Sequence, residues 1–193
     1  MKTVYLIRHG MTAGNKEKRY IGRTDEPLCE EGKLQAAALK TKGLPAFDRV
    51  FTSPYIRCAQ TASVLFPDTA FTAVQELREC DFGVFEGKTA AELVLDAEYG
   101  AWLKTNCTSP IPGGESVEGF KARCCTAFLA AMGEVMGNGA CAFVVHGGCI
   151  MAILERYAVP KRAFYDYHVE NCGLVRCAFG GGVLTVEGGS LCS

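Results

Sequence analysis

No apolar run in this chain approaches the ~20 residues that a bilayer crossing requires, and no basic tail or stripe is present. Its 20 basic and 21 acidic residues nearly cancel, giving a formal net charge of -1. A nucleic-acid backbone or an anionic membrane therefore has no extended positive face to bind. Any anion must be held by a local cluster. The stretch between Lys2 and Arg8 is too short for the apolar region of a signal peptide, so the protein is expected in the cytoplasm. Also missing is any C-x-x-C spacing, although there are 11 cysteines. That removes the simplest zinc-ribbon and thioredoxin-type readings. Cys58, Cys124, Cys141, Cys149 and Cys177 lie in apolar segments and read as reduced thiols serving as small apolar fillers. No metal and no cofactor are expected.

What is present is ordinary globular material. Of 193 residues, 49% are hydrophobic and 21% charged, which fits a single domain that buries roughly 70% of its unfolded surface. Residues 2–7 are β-branched and aromatic, and read as a buried strand stopping at Arg8-His9-Gly10. Residues 11–30 read as an irregular loop, and 31–42 as a helix stopped by Gly43. A second strand at 48–52 leads to Ser53-Pro54, which suggests an N-cap and first turn for a helix to about Leu65. Thr89 to Glu92 fits a capping box. A long helix is expected at 116–136, a third strand at 140–145 and a helix at 149–157. Residues 174–179 and 183–186 suggest a closing hairpin through three glycines. Alternating strands and helices imply an α/β fold, a three-layer αβα sandwich around a mostly parallel sheet.

Ligands of such sheets gather beyond the carboxyl ends of the strands. His9 and His146 both fall there, each following an apolar strand and each followed by glycine, while Arg57 lies one helical turn beyond the second strand. Alone, Arg8-His9-Gly10 is as easily a strand end. Together these residues form a convergent cationic cluster, with glycines that allow close approach and a helix start that adds N–H donors.

The motifs resemble the histidine phosphatase superfamily, the phosphoglycerate-mutase-like group. Arg8-His9-Gly10-Met11-Thr12-Ala13-Gly14-Asn15 is similar to its R-H-G-x-T-x-x-N signature. Gly22 to Gly32 follows G-x-x-D-x-P-L-x-x-x-G, and Ser53 to Ala62 follows S-x-x-x-R-x-x-Q-T-A. Leu77-Arg78-Glu79 with Phe82 to Gly87 resembles the acid-bearing segment, and His146-Gly147-Gly148 the last motif. Within the family, Asp81 to Thr89 and Pro112 to Ser116 most resemble the alpha-ribazole phosphatases of cobalamin assembly. Two positions depart: Met11 stands where Glu or Gln is usual, and Phe85 where Trp is frequent.

The resemblance implies a phosphatase acting on a small-molecule phosphate monoester, with His9 as nucleophile and a phosphohistidine intermediate. Arg8, Arg57 and His146 would hold the equatorial oxygens, and Glu79 would protonate the leaving oxygen. Asn15, Gly22 and Gly147 would bind substrate. The arginines should keep His9 neutral below the ~6.5 of a free histidine. Residues 88–116 are the expected lid. His168 is expected to be a half-buried strand histidine and Trp102 a core residue, while Asp81 and Glu86 could line the pocket mouth but, as surface carboxylates, need no special role. One rival is a phosphoglycerate mutase, disfavoured because Glu79 is followed by Cys80-Asp81-Phe82, whose carboxylate would repel a phosphoglycerate. Another rival is a broad-specificity metabolite phosphatase. A non-catalytic binding module on the same fold would be expected to have lost a pocket group.

Overall fold

The computed structural model describes residues 1–190 and contains one seven-stranded sheet. Its strands are β1 (Lys2–Arg8), β2 (Arg49–Thr52), β3 (Thr72–Ala73), β4 (Ala140–Val145), β5 (Ala158–Val159), β6 (Leu174–Gly180) and β7 (Val183–Gly189). They lie in the order β3-β2-β4-β1-β6-β7-β5. The half containing β3, β2, β4 and β1 is parallel. β6 runs antiparallel to β1 and β7 antiparallel to β6, while β5 runs parallel to β7.

The central strand β4 is apolar throughout because both of its faces are covered. Cys141, Phe143 and Val145 enter one core, and Ala142 and Val144 enter the other. Helices α6 (Val117–Glu134) and α7 (Gly147–Tyr157) contribute to the first core. There Phe128 meets Phe143 with ring centroids 5.2 Å apart. Helices α2 (Glu30–Lys40) and α3 (Ile56–Leu65) bury Leu39, Cys58 and Ala62 with Ile7 and Val50 on the opposite face. These layers form the expected sandwich. A third cluster joins Phe85, Leu93, Tyr99, Trp102 and Ile111 around α4 (Ala90–Leu93) and α5 (Ala97–Lys104), giving the 88–116 segment a small core of its own.

Several expected boundaries move. The loop at 11–30 holds a one-turn helix, α1 (Ala13–Lys16), closed by reciprocal bonds between Thr12 and Asn15. Ser53 does not cap α3. That helix opens at Ile56, whose N–H is accepted at 2.7 Å by the Asp25 carboxylate from a distant loop. α7 starts at Gly147, two residues earlier than its apolar run suggests. His168 follows a 3₁₀ turn, Phe164–Tyr167, rather than lying in a strand. Among the described residues no helix is long and apolar enough to cross a membrane. The ten described cysteines form no disulfide, and Cys192 lies outside the described residues.

Candidate active site

Strand pairing brings the two histidines together. Arg8 pairs with Val145 at the ends of β1 and β4, so the next residues, His9 and His146, leave the sheet side by side. The His9 N–H donates to the Val145 carbonyl at 3.0 Å, and the two imidazole centroids stand 5.1 Å apart, edge to face. β2 ends beside β4 with Thr52 opposite Val144, which delivers Ser53 and, through α3, Arg57 to the same edge.

His9 is 4% exposed, and its Nδ1 lies 2.7 Å from the Gly10 carbonyl. A carbonyl can only accept, so Nδ1 carries the proton and Nε2 keeps its lone pair. Burial holds the imidazole well below its ordinary pKa, and the Arg57 and Arg8 charges push the same way. His146 is also buried and held neutral by burial and then by Arg57. Its Nδ1 accepts from Arg57 Nε at 3.3 Å and its Nε2 lies 2.7 Å from Ser53 Oγ. Both ring nitrogens are thus engaged within the protein. An N–H of His146 reaches a phosphate oxygen only if the Ser53 contact is given up.

Arg57 is 1% exposed and stacks over the Tyr55 ring at 4.6 Å. Besides His146, it donates to the carbonyls of Thr24 at 2.7 Å and Gly22 at 3.0 Å. Three of its five N–H bonds are spent on protein, leaving two for an anion. Arg8 donates from Nη1 to the Val169 carbonyl at 2.8 Å and lines the pocket. Gly147 lies beside Arg8, where an added Cβ would make only an ordinary contact, 3.5 Å from its Nε. The Asn15 carbonyl oxygen accepts from Thr12 N–H and from Asn171 Nδ2, which leaves the amide NH2 as the group it can offer to the pocket it lines.

Glu79 reaches the same place from an extended segment. Its carboxylate accepts from the Gly148 N–H at the start of α7 and from its own neighbour Cys80, each at 3.0 Å. Burial raises its pKa above the ordinary carboxylate range, against the pull of those two N–H groups and of Arg57 and Arg8. The N–H that Gly148 supplies at the start of α7 is therefore taken by the Glu79 carboxylate.

A pocket of about 430 Å³ has Arg8, Asn15, Glu79, Gly147 and Gly148 on its polar side, while the buried His9, Arg57 and His146 are not among its lining residues. Tyr20, Phe82, Trp102, Phe120, Phe164 and Met151 make its walls mainly aromatic and apolar. Arg19 also lines it, but is neutralised by Glu17 at 2.6 Å and Glu92 at 2.9 Å. Among the described residues no cluster of His, Cys, Asp or Glu could hold a metal ion.

Comparison with known proteins shows the family and the fold. The model of the histidine phosphatase superfamily (branch 1) matches residues 4–189. The chain belongs to that superfamily. A curated relative, probable phosphoglycerate mutase GpmB of Salmonella choleraesuis, is 30% identical over 91% of this chain and 84% of its own. The alpha-ribazole phosphatase of Shigella flexneri superposes with a TM-score of 0.85 at 26% identity, covering 99% of this chain and 96% of that one. A phosphoserine phosphatase of Entamoeba histolytica, solved with 3-phosphoglyceric acid, gives 0.83 at 25% identity over 98% and 97%.

Several superfamily motif residues prove to be supports. Thr61 accepts the Gly10 N–H at 3.0 Å and donates to the Arg57 carbonyl at 2.7 Å, tying the loop after His9 to α3. Gln60 accepts from Leu28 N–H and Gln35 from Met11 N–H. A Cβ on Gly22 would stand 1.8 Å from the Cys80 carbonyl, so only glycine fits. Its own N–H and C=O are spent on Glu86 and Arg57, which places Gly22 in the scaffold beneath the site rather than on the pocket wall. Glu86, expected to be an idle surface carboxylate, accepts from the N–H groups of Gly22, Thr24 and Phe82 and from the Thr24 hydroxyl. Asp81 also departs from expectation. It accepts from Gly83 N–H, faces Arg23 at 3.5 Å and does not line the main pocket.

The sequence reading missed the segment before β6. Asn171 Nδ2 donates to the His9 carbonyl at 3.0 Å, and the Cys172 N–H reaches the Arg8 carbonyl at 3.1 Å. His168 lines the pocket. A backbone clamp has no residue signature, and the one side chain that could have signalled it, Asn171, sits in no motif.

Proposed function

We propose that this member of the superfamily hydrolyses phosphate monoesters through a phosphohistidine at His9, with a preference for alcohols carrying a bulky aromatic group. The observation that carries the reading is an uncharged imidazole with a free Nε2 lone pair, set beside two guanidinium groups and a carboxyl of raised pKa. In the first step Nε2 attacks phosphorus, the P–O bond to the alcohol breaks, and Glu79 gives its proton to the leaving oxygen. Arg8 and the two remaining N–H bonds of Arg57 take the charge on the equatorial oxygens. The Gly10 carbonyl, accepting from Nδ1–H, stabilises the phosphorylated ring as its positive charge develops. In the second step the Glu79 carboxylate takes a proton from water. The resulting attack on phosphorus breaks the P–N bond, releases phosphate and restores neutral His9.

The choice of alcohol rests on the walls. A phosphoglycerate would bring a carboxylate into a chamber of Tyr20, Phe82, Trp102 and Phe120, whose nearest distal cation, Arg19, is already paired with two glutamates. A flat base suits those walls better, and alpha-ribazole 5′-phosphate is an ester of that kind. Phosphate release should be measured from alpha-ribazole 5′-phosphate, an aryl phosphate, phosphoserine and 3-phosphoglycerate, with mutase turnover followed in the same preparation. The aromatic esters should be hydrolysed with the highest kcat/KM. Interconversion of phosphoglycerates faster than any phosphate release would overturn the proposal in favour of a mutase.

A further inference from the structure

Glu79 lies on a segment with almost no regular structure, between the 3₁₀ turn Gln75–Leu77 and a second one at Gly83–Phe85. A carboxyl that must deliver a proton to one oxygen needs firmer anchorage than such a segment supplies by itself. α7 holds the carboxylate through the Gly148 N–H and reaches the Leu77 and Arg78 carbonyls with the Cys149 thiol, but the densest grip on the backbone comes from α6. Arg123 Nη1 donates to the carbonyls of Glu76 at 2.7 Å and Arg78 at 2.8 Å, and its Nη2 donates to the carbonyl of Glu79 at 3.0 Å. The remaining donors, Nε and the other Nη2 hydrogen, grip the two oxygens of Glu115 at 2.6 and 2.7 Å. All five N–H bonds of the guanidinium are therefore used. Glu115 is tied in turn: its own N–H donates to the Asp81 carbonyl at 3.0 Å, closing a ring of contacts around residues 76–81. The Arg123 side chain is only 10% exposed, packs over the ring of Phe120 at 5.0 Å, and does not line the pocket. It touches the acid's backbone and never the substrate.

We propose that Arg123 is the positioning residue of the general acid, holding the Glu79 carboxyl at the leaving oxygen and away from water. The proposal rests on the reading of Glu79 as that acid. A lysine has three donors radiating from a single nitrogen and cannot reach three carbonyls and both oxygens of Glu115 at once. Arg123→Lys should thus keep the charge beside Glu115 yet release the segment. Freed to meet water, the Glu79 carboxyl would fall back towards the ordinary carboxylate range and lose its proton at lower pH.

The test compares two leaving groups on the full chain. 4-Nitrophenyl phosphate departs as a stable phenolate and needs little help from an acid, whereas an alkyl phosphate requires the proton. Arg123→Lys and Glu115→Gln should lower kcat/KM on the alkyl ester by about a hundredfold, with only a few-fold loss on the nitrophenyl ester. The alkaline limb of the alkyl-ester pH profile should move to lower pH. Retained turnover of the nitrophenyl ester shows that the variant is folded with its phosphate hollow intact. Equal losses on both esters with an unmoved pH limb would mean a merely structural arginine, and no loss on either would mean no role; both overturn the inference. A parent protein inactive on both esters would defeat the phosphatase reading itself, whereas an active parent with unresponsive variants defeats only the inference.

Discussion

Proton placement is the main work of individual residues here. One carbonyl, that of Gly10, leaves Nε2 as the His9 nitrogen that attacks in the proposed mechanism, and burial, reinforced by two arginines, keeps the ring uncharged. Glu79 is tuned the opposite way: burial makes it hold its proton above the ordinary carboxylate range. The signs give a specific pH dependence. A lowered imidazole pKa keeps the nucleophile competent below about pH 6.5, so activity should persist on the acid side where a free histidine would already be protonated. Rising pH removes the Glu79 proton, so alkyl-ester turnover should fall as pH climbs through its raised pKa. Glu79→Gln should cost 10²–10⁴-fold, roughly, on an alkyl phosphate and abolish that alkaline limb. Steady-state kinetics across pH on alkyl and aryl esters checks both points, and an unchanged limb in the variant would remove Glu79 from the acid role.

Of the proposed site, Arg8, His9, Arg57 and His146 could be picked out because each sits at a strand end or helix start, whereas Glu79, on an irregular segment, was reached only through the motif resemblance. The second tier was not legible. Asn171, Arg123 and Glu86 act by bonding to the backbone of other residues, and such contacts depend on the fold rather than on neighbouring letters.

At the scale of elements, the site depends on where α3 begins. Arg57 is its second residue, and the first N–H of the helix is capped by Asp25 from the loop after α1 rather than by Ser53. The proline after Ser53 suggested a local cap; the strand register instead turns Ser53 towards His146. An Asp25→Ala variant should lose about 1 kcal/mol of stability through the missing cap, and should raise KM for phosphate esters because Arg57 is no longer held in place. Thermal melting and initial-rate kinetics report the two effects separately. A variant with lowered Tm but unchanged KM would show that the cap serves stability alone. The positions of β1, β4, α6 and α7 were close to those read from their apolar runs, whereas the two-residue strands β3 and β5 and the helix α5 were not read at all. α1, with four residues, is too short to leave such a pattern.

For the molecule as a whole, the division of labour is spatial. The ends of β1, β2 and β4 gather the polar groups proposed to hold the phosphoryl group, while the wall proposed to meet the alcohol is drawn from several places, Tyr20, Phe82, Phe120, Met151 and Phe164 together with Trp102 and Ile111 of the 88–116 segment. Fold class followed from the alternation of strands and helices, but the direction of the wall side chains did not, and so the aromatic chamber came only with the coordinates. With a net charge of -1, long-range steering of an anionic ester is weak, and recognition falls to the hollow itself. The most direct test is to mix the protein with a ³²P-labelled aryl phosphate, quench within milliseconds, and map the label. The account predicts a phosphoenzyme stable to alkali and labile to acid, with the label on His9 and none in a His9→Ala variant that no longer turns over. Turnover that survives in that variant, or label found on another residue, would contradict it.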